Sequence, residues 1–202
     1  MTTALLQTTY FGPVQRYQKL YSYDHCLIEQ YDSYQKQTFR NRCVIASANG
    51  VQALTVPVEH SDDKMLTKDL RVSDHNQWRR IHWNALQSAY SESPFFEYYA
   101  DDIRPFFEKK YAFLIDFNEE IRQKICELID IHPDVEYTQA FTANNPPIKD
   151  FREVIHAKHP QPDADFEPKR YWQVFQHKHG FLPNLSILDL LFCTGPEAIF
   201  YL

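Results

Sequence analysis

Glycine is scarce in this chain, with 4 in 202 residues where average usage would give roughly 14. Gly12, Gly50, Gly180 and Gly195 stand too far apart to form GxGxxG or a P-loop, so a glycine-rich phosphate cradle is excluded. Long apolar runs are also missing. The longest near the C-terminus, Leu185 to Cys193, is broken by Ser186 and Asp189 and falls well short of a membrane span. Met1 to Leu6 carries no basic region, and Gln7 interrupts its apolar run, so no secretory leader is expected. Cys26, Cys43, Cys126 and Cys193 are scattered with no CxxC pair, which reads as reduced, buried thiols of a cytoplasmic protein. There is no GxSxG and no local Cys–His motif to mark a nucleophile. A basic excess is lacking as well. Residues 1–100 carry 10 Lys+Arg against 10 Asp+Glu, and residues 101–202 carry 11 against 17, which holds the whole net charge of -6. That balance argues against nucleic acid as a partner, because sequence-independent duplex binding wants a basic face.

What the chain does have is bulk. Apolar residues make up 44% and aromatic ones 15%, enough for one domain over residues 1–202 with a sizeable core. Ala4 to Thr8 predicts a strand. Gly12-Pro13 breaks the chain before a helix carrying Val14, Tyr17 and Tyr21, and Cys26-Leu27-Ile28 predicts a second strand. This strand–helix–strand opening points to an α/β fold with a central mixed sheet and several packed helices. Arg42 to Ser47 and Val51 to Val58 flank Asn49-Gly50, a hairpin signal for a type I′ turn. Asp74 and Gln77 resemble a capping box ahead of a helix whose apolar stripe is Trp78, Ile81, Ala85 and Ala89. Phe117, Ile121, Ile125, Leu128 and Ile129 predict another helix, with Asp116 and Glu119 placed at its first amides. Val135 to Phe141 and Tyr171 to Gln176 read as strands, and Ser186 to Phe192 as a short helix. Five prolines within residues 143–168 mark a long loop or lid-like excursion.

Three groups of residues invite a chemical reading. Gln7 to Pro13 runs from a strand end into a helix start, where α/β folds place ligands and where helix-start amides can meet an anion. The plainer alternative is a turn whose Tyr10 and Phe11 pack the core. Lys36, Arg40 and Arg42 lie within seven residues of a segment free of carboxylates, and guanidinium groups hold phosphate or carboxylate bidentately; a solvated hairpin arm would look the same. His82, beside Trp83, could serve as a general base or as a hydrogen-bonded helix histidine. His156 and His159 with Asp163 and Asp165, and His177 with His179, match no established metal-ligand frame, so no metal or other cofactor is expected. Ser186 with Asp189 fits helix capping better than catalysis.

Read together, Gln7 to Leu20, Arg40-Asn41-Arg42, Leu54 to Val58, Ile81-His82-Trp83, Ala89-Tyr90, Ser93 to Phe96 and Gly180 to Phe192 recur in that order in the WbqC-like family, which the chain resembles over almost its whole length. The family takes its name from a protein associated with O-antigen gene clusters. The resemblance therefore implies a bacterial enzyme of surface-polysaccharide or sugar-precursor metabolism, a transferase acting on a phosphorylated or nucleotide-activated small molecule. Acyl or aminoacyl transfer to an amino sugar would fit. The alternatives are a non-catalytic binding or assembly protein of the same pathway, and metal-dependent hydrolysis by the 156–179 histidines. Residues matching the family are Gln7, Tyr10, Arg40, Arg42, His82, Asn184 and Asp189. With Lys36 they make the expected site, His82 and Asp189 in catalysis and the others in substrate binding. The chain departs from the family at Leu6-Gln7-Thr8-Thr9, where a His-Gln-Pro-Asn-type stretch is usual, and at Cys193-Thr194-Gly195, where asparagine often precedes the glycine.

Overall fold

The computed structural model describes residues 2–59, 65–143 and 146–202. Strand β1 (Thr3–Gln7) is buried from Ala4 onward, the mark of a central strand covered on both faces. Helix α1 (Val14–Ser22) follows and leads to β2 (His25–Glu29), which lies parallel to β1 with Gln7 opposite Glu29. An antiparallel hairpin, β3 (Arg42–Ser47) and β4 (Gly50–Thr55), forms a separate two-stranded sheet. The helical middle comprises α2 (Trp78–Tyr90), α3 (Phe96–Ile103) and α4 (Leu114–Leu128). Then come β5 (Val135–Tyr137), β6 (Lys149–Asp150), α5 (Gln176–His179) and α6 (Ile187–Thr194). The four strands β5-β2-β1-β6 make one sheet in which every pairing is parallel. The fold is α/β, with the parallel and antiparallel pairings divided between the two sheets.

Local chemistry explains where these elements depart from the pattern of the sequence. The hairpin turns at Ala48-Asn49. Only Gly50 takes a positive φ, 109°, so the turn closes on a glycine in the first position of β4 rather than through a type I′ Asn-Gly pair. The buried face of α2 is Trp78, His82, Leu86, Ala89 and Tyr90, while Ile81 is 53% exposed. The stripe is rotated by one residue, and that puts His82 in the core. Asp74 caps nothing and instead pairs with Arg79 and Lys110. Helix α4 begins at Leu114, ahead of Asp116, and Glu119 pairs with Arg122. Helix α3, whose Phe96, Tyr99 and Ile103 are buried, was not anticipated. Neither was β6, which lies inside the Pro-rich stretch and pairs with β1.

Tyr171 to Gln176 is not a strand. The Gln173 side-chain amide accepts from Leu182 N (2.9 Å) and donates to Leu182 O (2.9 Å), doing with one side chain what a neighbouring strand would do. The same amide, with two phenols, reaches Asp189. This carboxylate is fully buried on α6, accepting from Tyr90 Oη (2.9 Å), Tyr171 Oη (2.7 Å) and Gln173 Nε2 (2.8 Å). Burial pushes its pKa above the ordinary carboxylate range, against the pull of those three donors. Ser186 caps α6 alone, through Leu188 N (3.3 Å). All four cysteines are buried thiols.

Asp189 thus ties the C-terminal segment to α2 by three donors that have no water to fall back on. Asp189→Ala leaves them unpaired and is expected to cost about 3 kcal/mol or more, with Asp189→Asn costing less. Thermal melts measure this, and an alanine variant as stable as the parent would contradict it.

Candidate active site

All four parallel strands end at one edge, which gathers Gln7, Glu29, Thr138 and Asp150. From β1 the chain builds outward through β2 to β5 on one side, and β6 returns on the other. The β1–β6 boundary is therefore the switch point where open α/β sheets leave a crevice beyond the strand ends. Gln7, almost fully buried, spans it. Its Nε2 donates to the carbonyls of Arg152 and Ile155, its Oε1 accepts from Arg40 Nη1 (3.0 Å), and its backbone carbonyl accepts from Arg16 Nε (3.0 Å).

Two buried arginines and three carboxylates complete this edge. Arg40 pairs with Asp32 and donates to Thr38 Oγ1 (3.2 Å); Thr67 Oγ1 donates to the other Asp32 oxygen. Arg152 holds Asp150 bidentately through Nε (3.0 Å) and Nη2 (2.6 Å) and reaches Glu29 through Nη1 (3.3 Å). Glu29, with no exposed surface, also accepts from Tyr31 N (2.8 Å), Thr138 Oγ1 (2.9 Å) and Thr142 N (2.8 Å). Burial would lower the Arg152 pKa, but Asp150, Glu29 and Asp32 outweigh it and raise it. Asp32, Gln35, Arg40, Asp150, Arg152 and Glu153 line a cavity of about 230 Å3 at this edge. The carboxylates outnumber the guanidiniums, so the crevice offers fixed donors and acceptors and no net positive field.

The expected site residues fall into separate neighbourhoods. Gln7 and Arg40 meet in the crevice wall. Lys36 and Arg42 lie together in a second cavity of about 270 Å3, with Tyr34, Asn41, Thr55 and Glu59. The segment 33–42 divides its side chains between these two cavities. Tyr10 is fully buried, and its hydroxyl is hydrogen-bonded to His82 Nδ1 (2.9 Å). Bonded to Tyr10, packed on the Trp78 ring and only 4% exposed, His82 is a packing residue here. Asn184 caps α1, accepting from Gln15 N (2.9 Å) and donating to Gln15 Oε1 (3.0 Å). Val14 N donates to the Leu185 carbonyl (3.0 Å), so the helix-start amides that could have met an anion are already spent. Asp189 sits in the core with both oxygens taken. His156 Nδ1 accepts from the Lys158 and His159 amides (3.0 and 3.1 Å). Among the described residues no group of three or more His, Cys, Asp or Glu is placed to hold a metal ion, and no helix is long and apolar enough to cross a membrane.

Glu29, Asp32, Asp150 and Arg152 went unread in the sequence. Glu29 had a usable signal, a carboxylate directly after the apolar run Cys26-Leu27-Ile28, which is what a strand's carboxyl end at a polar crevice looks like. Asp150 and Arg152 had none, because the prolines around them concealed a two-residue strand.

A model of the WbqC-like protein family matches residues 7–157, a span that contains every crevice residue named above. The chain is also 28% identical over 223 aligned positions to the uncharacterized protein Rv1507c of Mycobacterium tuberculosis (strain ATCC 25618 / H37Rv), covering 98% of this chain and 96% of that one. No solved structure matches significantly.

Burial lowers the His82 pKa to about 4, partly opposed by the Thr55 carbonyl. In the unfolded chain a histidine titrates near ~6.5, so as the pH falls from there to about 4 the unfolded state takes up a proton that the folded state refuses. This histidine therefore removes up to about 3 kcal/mol of stability across that window. Melts of the parent and of His82→Gln between pH 7 and 4 should show a shallower fall in Tm for the variant; parallel curves would refute the assignment.

Proposed function

The chain belongs to the WbqC-like protein family, and from that membership and the sheet-edge crevice we propose that it is a cytoplasmic enzyme of bacterial surface-polysaccharide or sugar-precursor metabolism, a transferase acting on a phosphorylated or nucleotide-activated small molecule. One observation carries the reading. The carboxyl ends of four parallel strands, two buried arginines and three carboxylates converge at the topological switch point, where this architecture binds ligands. Paired donors and acceptors held in fixed geometry suit sugar hydroxyls, each of which both donates and accepts. Lys36 and Arg42, with no carboxylate bonded to either among the described residues, line the neighbouring cavity and supply the contact for the anionic group. In acyl or aminoacyl transfer to an amino sugar, the amine nitrogen bonds the acyl carbon, the leaving group departs, and the amine's proton passes to a crevice carboxylate. Asp150 and Glu153 are the acceptors nearest the opening. Gln7 forms the back wall of this site, and Tyr10, His82, Asn184 and Asp189 serve the fold around it.

The second reading is a non-catalytic binding or assembly protein of the same pathway. It is favoured by the exposure of Tyr98 (73%) and Phe200 (71%), large rings left on the surface. It differs in its outcome: ligand binds and no product forms.

A thermal-shift panel of sugar phosphates and nucleotide sugars tests the proposal. A ligand at a hundredfold its Kd stabilises the fold by about 2.7 kcal/mol, and Arg152→Ala or the pair Lys36→Ala with Arg42→Ala should abolish most of that shift. No response from the panel, or a response indifferent to both sets of substitutions, overturns it.

A further inference from the structure

On another face of the molecule, the first turns of α2 and the turn Arg104–Phe107 enclose a cleft of about 360 Å3. Gln77, Arg79, Arg80, Trp83, Arg104 and Phe107 line it, and Glu108 is the one carboxylate beside the three guanidiniums. Arg79 and Arg104 each hold one carboxylate, and Arg80 is the cation left over. Arg80 is exposed and has no ion pair among the described residues. Arg104 uses its Nε on Glu108 (2.7 Å). Arg79 gives Nε to the Lys109 carbonyl (3.2 Å) and Nη1 to Asp74 (2.5 Å), and its guanidinium lies 4.5 Å from the centre of the Trp78 ring. Arg79 is thus a fixed wall of the cleft, and the cations open to a ligand are the exposed Arg80 and Arg104.

The floor is aromatic. Trp83 lies 5.7 Å from Phe107 and 5.8 Å from Phe96, ring centre to ring centre. Several guanidiniums above such a floor match a ligand that joins a phosphate to a flat, apolar ring. Arginine binds the phosphate bidentately and also stacks on planar groups. Inorganic phosphate would leave the floor unused, and a bare aromatic ring would leave the charges unused. The volume lies within the range of small-molecule sites. A polynucleotide fits poorly, because the net charge of -6 provides no basic track leading away from a single cleft. The first turn of α2 opens at the same place with no side-chain cap, which adds its amide dipoles to the field.

We infer that this cleft is a binding site for a nucleoside phosphate, separate from the sheet-edge crevice, with Arg80 and Arg104 holding phosphate and Trp83, backed by Phe107, receiving the base. The test is calorimetric titration of the full chain with ADP, UDP, adenosine and inorganic phosphate. ADP or UDP should bind with a Kd below about 1 mM, at least about 10-fold tighter than adenosine or phosphate alone. Arg80→Ala with Arg104→Ala, both at exposed positions that leave the core intact, should weaken the nucleotide by about 10-fold or more. Binding that Arg152→Ala removes while the Arg80→Ala, Arg104→Ala pair leaves it intact belongs to the crevice, so failure of the crevice reading and failure of this one give different results. The inference is overturned if neither nucleotide binds, if phosphate alone binds as tightly, if the double variant binds as the parent does, or if Arg152→Ala removes the binding.

Discussion

One side-chain amide, that of Gln7, joins parts of the chain that no shared strand connects. Its nitrogen reaches two carbonyls of the segment after β6, and its oxygen takes the Arg40 guanidinium from the segment ahead of the hairpin. Behind it, Arg16 of α1 holds the Gln7 carbonyl. A shorter or apolar residue at this strand end would leave Arg40 one acceptor poorer and the Arg152 carbonyl unpaired in a buried setting. The crevice takes its shape from that constraint, because Arg40 in turn fixes Asp32, and Asp32 receives Thr67 from a distant loop. An amide suits the position better than a carboxylate or an amine. It must donate on one side and accept on the other, which neither charged group can do in the ordinary protonation state.

Polar residues of α1 show the same logic on the opposite face. Lys19 has no exposed surface, yet it is paired with Asp163 (2.7 Å) and lies 4.7 Å from the centre of the Phe151 ring. Gln15 donates to the same carboxylate (2.8 Å), and Lys149 pairs with Asp165 (2.8 Å). The proline-rich stretch after β6 is therefore fastened to α1 by charges, beside the buried Phe151 and Ile155. Hence β6 can be only two residues long and still deliver Asp150 and Arg152 to the sheet edge.

Much of the fold was legible because it depends on periodicity and punctuation. The β1–α1–β2 opening, the hairpin and α4 each bury a face that the apolar spacing marks out, and the Ser186 cap can be read from residue type. The α2 stripe shows where such reading fails. Ile81 and His82 are neighbours, and hydropathy chooses the isoleucine, yet the packing buries the histidine, whose ring bonds the Tyr10 hydroxyl and lies against Trp78. The site was less legible for a related reason. Arg40, Lys36 and Arg42 are close in sequence, but their segment sends Arg40 into the interior and Lys36 and Arg42 to another cavity. Glu29, Asp150 and Arg152 meet only through the parallel register of strands 100 and more residues apart, a relation that no local window contains.

Scarcity of glycine gives the last step its direction. Without a backbone cradle, any anion must be met by side-chain cations, and a cation inside the protein requires a counter-charge before any ligand arrives. Arg40 and Arg152 obey this rule, arriving with Asp32, Asp150 and Glu29 already bound. The interior crevice is consequently rich in hydrogen-bonding geometry and without net positive charge, a setting for hydroxyls. Unspent positive charge can persist only where water still reaches it, and that is where Lys36 and Arg80 are found, exposed at the openings of their cavities. Recognition of a neutral polar group and of an anionic group is thus divided between interior and rim by the cost of burying charge.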